Sequence, residues 1–370
     1  MSARLGIVGG GQLGRMLALA AAPLGVSCRF IDPAEDAGAQ VAAEQMVAAY
    51  DDLDALAELA QWSDVVTFEF ENVPAPALEA IAQHATLAPS PRSLEVSQDR
   101  LLEKRTFEAL DLTVAPYRPV ESLADLEDAL AELGAPAIVK TRRFGYDGKG
   151  QARIEDPGDA AHAWKSMEDA PSILEGVVEF DREISAVVVR SADGTAMAYP
   201  PAENVHRAGI LHTSSAPATH VAQPISDQAV EHALAIAEEL DHVGTLAVEY
   251  FVAADQLIVN EIAPRVHNSG HWTLDGAGTS QFENHVRAVL GLPVGAAAPI
   301  VPTVMVNLVG ELPALGELLD VRGAHVHLYD KQPRPGRKLG HVNVVDFDGR
   351  FEPLETRANR VKELADAAWR

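Results

Sequence analysis

Short apolar runs and longer amphipathic stretches alternate from the first residues onward. The run at 5–8 is followed by glycines at 9, 10, 11 and 14 and by an Ala- and Leu-rich stretch to about residue 22. A strand-like run at 28–31 ends in Asp32. A helical pattern at 52–61 leads to a run at 65–70. Strand, glycine turn, helix and strand in that order begin a doubly wound parallel sheet. Pro89 and Pro91 place its boundary near residue 95. A helix is expected from 97, and a capping box at Ser122 and Asp125 predicts another to about 133. The apolar run at 137–139 ends in Lys140. Strands are expected at 172–178, 180–189, 244–252 and 256–265, with one helix at 227–240 capped by Ser226. From about 296 the chain turns Pro- and Ala-rich, and runs at 303–309, 324–329 and 341–347 predict a small β-rich unit. Residues 357–370 read as an amphipathic terminal helix. The expected fold class is α/β and α+β, in three domains at 1–95, 96–295 and 296–370.

Composition narrows the partners. A chain of 370 residues is too long for one core. Lys+Arg 29 against Asp+Glu 54 gives a net charge of −25. That acidity argues against a nucleic-acid groove and against an anionic membrane surface. It also makes the few basic clusters informative. One cysteine, Cys28, excludes a disulfide framework and a cysteine metal site. No apolar run is long enough to span a bilayer, and no secretory signal is expected at the start, so a cytoplasmic protein is expected.

Candidate chemistry begins at Lys140. Gly145, Gly148 and Gly150 follow it, with Lys149 between the last two. Glycines let backbone N–H groups close on phosphate oxygens, and lysine adds a mobile charge. The pattern suits a nucleotide triphosphate without being a P-loop, because no Gly-Lys-Ser/Thr opens a helix. A surface hairpin with turn glycines is the other reading. Gly9-x-Gly11-x-x-Gly14 with Asp32 matches a dinucleotide fingerprint, which alone is weak. Glu69, Glu71 and Asn72 gather at a strand end, where open α/β sheets bind ligands. Arg100 and Lys104 lie one helical turn apart and face either phosphate or solvent. His206, His212 and His220 are too loosely spaced for zinc. Glu249 and Glu261 each interrupt an apolar strand. Such carboxylates require a cation or a salt bridge, and with Asn260 alongside they suit Mg²⁺. Arg265 and His267 follow at once and suit a small anion. Lys331, Arg337 and Lys338 belong to the densest basic patch, a candidate phosphate-ester pocket.

These segments together resemble the 5-(carboxyamino)imidazole ribonucleotide synthetases of the ATP-grasp superfamily. The stretches that carry the resemblance are 9–16, 70–73, 145–151, 260–271 and 331–343. The resemblance implies a three-domain ATP-grasp fold: a Rossmann-like N-terminal domain, a central domain with a mobile lid at about 115–180, and a small β-rich C-terminal domain. It implies ATP-dependent carboxylation of 5-aminoimidazole ribonucleotide with bicarbonate, through carboxyphosphate, by a homodimer. Two Mg²⁺ ions would lie at Glu249 and Glu261. ATP would contact Arg100, Lys140, Gly145, Tyr146, Asp147, Gly148, Lys149, Gly150 and Gln151, then Glu175, Gly176, Val177, Val178, Glu183, His206, Asn260 and Glu261. Bicarbonate chemistry would involve Lys140, Tyr146, Arg265 and His267. The ribonucleotide would contact Gly11, Gln12, Leu13, Glu71, Asn72, Asp147, Lys331, Arg337 and Lys338. An NAD-dependent oxidoreductase and another ATP-grasp ligase, such as a formate-using transformylase, are the alternatives.

Overall fold

Five parallel strands build the N-terminal unit, in the order Glu44–Val47, Ser27–Asp32, Arg4–Val8, Val65–Phe68, Thr86–Leu87. The computed structural model describes residues 3–145, 150–347, 349 and 352–369. Arg4–Val8 is central, so its glycine turn opens at the carboxyl edge of the sheet. The helix Gln12–Ala21 buries Leu13, Met16, Leu17 and Ala21 against Phe282, Val286 and Val289 of the helix Gln281–Val289. That shared core fuses the N-terminal unit to the centre of the molecule. Fully burying each large apolar side chain contributes about 1.5–3 kcal/mol.

The centre is a nine-stranded sheet. Its path runs Gln256–Ala263, Gly244–Ala253, Arg182–Arg190, Ala202–Arg207, Ile210–Ala216, Thr303–Val309, Lys338–Val345, Ala324–Leu328, with Ala196–Ala198 paired beside Arg182–Arg190. The pairing of Ile210–Ala216 with Thr303–Val309 makes the C-terminal strands a continuation of this sheet. The helix Gln223–Glu239 covers one end of it and Leu354–Ala368 the other. A separate four-stranded antiparallel sheet, Tyr117–Val120, Ser172–Gly176, Ala137–Thr141, Gln151–Ile154, forms a small lobe. Leu126, Leu130 and Trp164 from its two helices close its core.

Several boundaries differ from the sequence reading. The helix expected from 97 is two helices, Pro91–Gln98 and Arg100–Ala109. Asp99 is extended between them and its carboxylate accepts from the Leu101 N–H at 3.0 Å, so it ends one helix and caps the next. The helix expected at 227 begins at Gln223 with a proline in its first turn, and Ser226 is buried rather than capping. The terminal helix begins at Leu354. Among the described residues, no helix is long and apolar enough to cross a membrane.

A buried histidine ties the N-terminal sheet to the central one. His285 Nδ1 accepts from the Thr245 N–H at 3.0 Å, which leaves Nε2–H to donate to Thr67 Oγ1 at 2.7 Å. Gly244 has φ +117°, and a Cβ there would lie 2.8 Å from the ring. Burial pushes the ring pKa down to about 3. A histidine with a depressed folded pKa stabilises the fold above its unfolded value and loses that contribution as pH falls. The stability gap between wild type and His285→Gln should therefore shrink by about 1.4 kcal/mol per pH unit below 6.5. Denaturant unfolding at pH 7.5, 6 and 5 measures it. An unchanged gap would mean that the ring is not held neutral.

Candidate functional site

The N-terminal glycine turn is already filled by the protein. Glu69 extends from the end of Val65–Phe68 and takes the Gly11 N–H on Oε1 and the Gly14 N–H on Oε2, each at 2.7 Å. A Cβ on Gly9 would lie 2.2 Å from Glu69 Cγ, and one on Gly11 2.6 Å from Oε1. The glycines make room for a carboxylate of this chain where a pyrophosphate would sit. Asp32 is also engaged, accepting from the Gly10 N–H at 2.9 Å, the Ala34 N–H at 2.9 Å and the Tyr50 hydroxyl at 2.8 Å. The dinucleotide reading fails on both counts. Burial raises the Glu69 pKa against the pull of the two amides. Gln12 and Leu13 remain at the helix start, and Lys331 Nζ donates to Gln12 Oε1. Burial pushes the Lys331 amine down to about 8, with Glu69 opposing the shift.

Beside this turn lies a cavity of about 470 Å³. Gln12, Leu13, Glu69, Phe70, Glu71 and Asn72 line it from the N-terminal unit. Arg142, Phe144 and Gly145 line it from the four-stranded lobe, and Lys338 from the C-terminal strands. Arg100, Glu103, Glu249, Glu261, Arg265 and His267 are among those that line it from the centre. Stretches far apart in sequence thus meet in one space.

Glu249 and Glu261 stand directly opposite each other on neighbouring strands. A register shift follows Glu249, so both carboxylates reach the same side. Their side chains are 16% and 41% exposed, so Glu261 opens further to the cavity. Burial and the Glu261 charge raise the Glu249 carboxyl to about 7. Burial works against Glu261 as well, but Arg100 and Lys140 outweigh it and hold its pKa below the usual range. Arg100 Nη1 donates to Glu261 Oε2 at 3.0 Å. Opposed carboxylates, one driven toward its neutral form by the other, fit a divalent cation.

Arg265 and Glu71 form a two-point pair, Nε to Oε2 at 3.0 Å and Nη2 to Oε1 at 2.7 Å. Sequence reading gave these two residues to different ligands; they are partners across 194 positions of chain. Gln98 steadies the segment by donating to the Glu71 and Val73 carbonyls. His267 Nδ1 meets Ser269 Oγ at 2.8 Å, and Nε2 lies 3.6 Å from Glu249 Oε1. Burial, then Arg265 and Lys338, depress the ring's pKa well below its ordinary value.

Of the residues expected to hold a nucleotide, Arg100, Gly145 and Glu261 line this cavity, and the other described ones lie outside its wall. Lys140 Nζ donates to Glu175 Oε2, and Lys104 Nζ lies 3.5 Å from Oε1. Lys104 is 1% exposed and donates to the Asn260 carbonyl at 2.9 Å, so the solvated-face reading is wrong for it. Burial opposes ionisation of Glu175, but the two lysines outweigh it and hold its pKa at about 2. Gly176 ends that strand, with half-buried Val177 and Val178 beyond it. His206 Nδ1 lies 2.5 Å from Glu183 Oε2. Burial disfavours the charged ring there, but Glu183 and Glu249 raise its pKa overall. Gly150 has φ +67° and Gln151 opens its strand. Tyr146, Asp147, Gly148 and Lys149 lie outside the described residues. Arg337 Nη1 donates to the Gln332 carbonyl at 3.1 Å, and Arg337 is absent from the cavity wall. His212 lies by Asp366 and His220 by Glu203, so the three loop histidines face separate carboxylates.

Glu69 and Glu103 line the cavity with partners that the sequence did not show. Glu69 stood among the strand-end acids, but nothing local showed that it would fill the glycine turn. Glu103 reads as a helix-surface acid in Arg100–Ala109. It is 2% exposed, accepts from the Ile262 N–H at 2.7 Å, and is raised to about 8 by burial and Glu261.

Three family models match the chain in succession. The ribonucleotide synthetase preATP-grasp domain matches residues 2–98, the ATP-grasp domain 105–282, and the phosphoribosylaminoimidazole carboxylase C-terminal domain 303–350. The N5-carboxyaminoimidazole ribonucleotide synthase of Pseudomonas aeruginosa is 44% identical over 364 residues, covering 98% of this chain and 100% of that one. The Brucella melitensis protein of the same name is 48% identical over 351 residues, covering 92% and 96%. Among solved structures, the N5-carboxyaminoimidazole ribonucleotide synthetase of Thermus thermophilus superposes with a TM-score of 0.92 at 47% identity, covering 97% and 98%. An N5-carboxyaminoimidazole synthase of Aspergillus clavatus, solved with ADP and 5-aminoimidazole ribonucleotide, gives 0.91 at 30% identity, covering 99% and 98%.

Proposed function

The chain belongs to the N5-carboxyaminoimidazole ribonucleotide synthase family, and from that premise we infer how its own residues divide the reaction. It is an ATP-dependent carbon–nitrogen ligase of purine biosynthesis, carboxylating the amine of 5-aminoimidazole ribonucleotide. ATP is its co-substrate. The observation that carries the residue-level reading is the shared cavity, with paired carboxylates, an Arg–His loop and a lysine on different walls.

Bicarbonate is a poor electrophile. Its oxygen attacks the γ-phosphorus of ATP, ADP leaves, and carboxyphosphate forms. Arg265 and His267 orient the anion, and Lys140 with Arg100 counters charge on the phosphate side. Glu249 and Glu261 would hold magnesium, proposed as two ions, which neutralises phosphate charge when bound. Carboxyphosphate breaks to CO₂ and phosphate, and the ribonucleotide amine attacks CO₂ to give the carbamate. The amine's proton passes to the released phosphate. Glu71, locked to Arg265, faces the amine, while Gln12, Leu13, Asn72 and Lys331 hold the rest of the ribonucleotide. Glu175 to Val178, Glu183, His206 and Asn260 hold the nucleotide. We take the units as 1–95, 96–295 and 296–370, the chain as a homodimer, and its compartment as the cytoplasm.

The test is phosphate release from ATP with bicarbonate, with and without 5-aminoimidazole ribonucleotide, together with trapping of labelled bicarbonate in the product. Release that ignores bicarbonate removes this reading.

The cation site carries a pH expectation. Glu249, raised to about 7, is mostly protonated below that pH. A cation must displace the proton, so Mg²⁺ affinity should rise with pH up to about 7 and then level off. Calorimetry at pH 6 in buffers of different ionisation enthalpy should detect proton release that is lost at pH 8. Equal proton release at both would assign the cation elsewhere.

A further inference from the structure

Gln281 is the first residue of the helix Gln281–Val289, is fully buried, and does not line the cavity. Its side-chain amide meets the backbone of His267 as a neighbouring strand would. The His267 N–H donates to Oε1 at 3.0 Å, and Nε2 donates to the His267 carbonyl at 2.7 Å. The same Nε2 faces His271 Nδ1 at 3.2 Å. A side chain here must supply one acceptor and two donors, and glutamine does so.

The space is as specific as the hydrogen bonds. A Cβ on Gly270 would lie 2.6 Å from Gln281 Oε1, so the turn Asn268–Gly270 closes directly on the amide. Thr273 Oγ1 completes the enclosure, accepting from the Gln281 N–H at 3.0 Å and donating to the Gly270 carbonyl at 2.6 Å. His267 caps this turn, taking the Ser269 N–H on Nδ1 at 3.3 Å. The ring's direction therefore follows the backbone at 267, whose N–H and carbonyl both meet the Gln281 amide, the carbonyl also accepting from the Gly270 N–H at 3.0 Å.

We propose that Gln281 is a positioning residue for the bicarbonate site, acting through the backbone of His267. This rests on the reading that His267 faces bicarbonate. A misplacement of about 1 Å at a reacting group can cost a hundredfold in rate, so a backbone gripped at position 267 by this amide is sensitive to its loss. ATP does not depend on this loop in the reading above, so its Michaelis constant should be insulated.

Two variants separate the effects. Gln281→Glu keeps the reach and the acceptor but sets a carboxylate oxygen against the His267 carbonyl. Gln281→Met keeps the volume and removes the hydrogen bonds, and stands in should the charged variant fail to fold. Each should lower kcat/KM for bicarbonate about tenfold while KM for ATP stays within about twofold. Adding Gln281→Met to His267→Ala should cost less than about twofold more, because both changes remove one function. A folded variant with normal kcat/KM for bicarbonate overturns the proposal, as does an equal fall for ATP or a fully additive double variant. An unimpaired His267→Ala removes the bicarbonate role of His267 and the proposal with it. An impaired His267→Ala beside an unimpaired Gln281 variant removes the proposal alone.

Discussion

Glu261→Gln is expected to lower turnover at least about a thousandfold while leaving the chain folded. Glu261 receives Arg100 Nη1 at 3.0 Å and stands opposite Glu249. The amide keeps the shape and removes the charge. A phosphoryl-transfer site needs that charge to hold its cation, and losing it should remove several kcal/mol of transition-state stabilisation. At 1.36 kcal/mol per tenfold, about 4 kcal/mol gives the expected factor. Stability should change little, because relief of the repulsion with Glu249 offsets the lost Arg100 partner. Relief should also let the Glu249 carboxyl fall from about 7 toward its ordinary range. The measurement is ADP production beside a thermal melt. Near-normal turnover in a folded variant would remove the metal role.

What sequence made legible were local devices whose geometry is fixed by spacing. Short apolar runs marked the strands, and the Ser122 signal marked its helix correctly, with Ser122 accepting from the Asp125 N–H. The carboxylate pair was legible because an acid inside an apolar strand is costly unless matched. What sequence could not give was which partner each polar group takes across long separations. Glu69 and the glycine turn are 55 to 58 residues apart, and Arg265 and Glu71 are 194 apart. A glycine fingerprint looks the same whether a phosphate or a carboxylate fills it. Lys104 likewise reads as solvent-facing until the helix is placed against Asn260 and Glu175. Helix bounds were missed where a proline or an extended acid set them: Pro224 lies in the first turn of a helix that begins before Ser226, and Asp99 divides the helix expected from 97 into two.

The basic patch divides into two roles, and paired variants should expose the division. Lys331 points back to Gln12 at the start of the first helix, within the field of Glu69. Lys338 lines the cavity near Glu249 and His267, whose pKa values its charge lowers. Lys331→Ala should therefore raise KM for the ribonucleotide about ten- to a hundredfold, with kcat and KM for ATP nearly unchanged. A phosphate monoester carries close to two negative charges at neutral pH, and one charge-assisted contact contributes about 1.5–3 kcal/mol. The chain's net charge of −25 gives no background attraction to replace it. Lys338→Ala should raise the same KM and also lower kcat, because its charge acts on the carboxylate and histidine side of the cavity. The measurement is a full set of Michaelis constants for ATP, bicarbonate and ribonucleotide in each variant. A rise in KM for ATP with Lys331→Ala would place that lysine at the nucleotide instead. Identical profiles for the two variants would mean one undivided pocket. High salt should weaken Lys331 less than an exposed pair, since Lys331 is largely withdrawn from solvent.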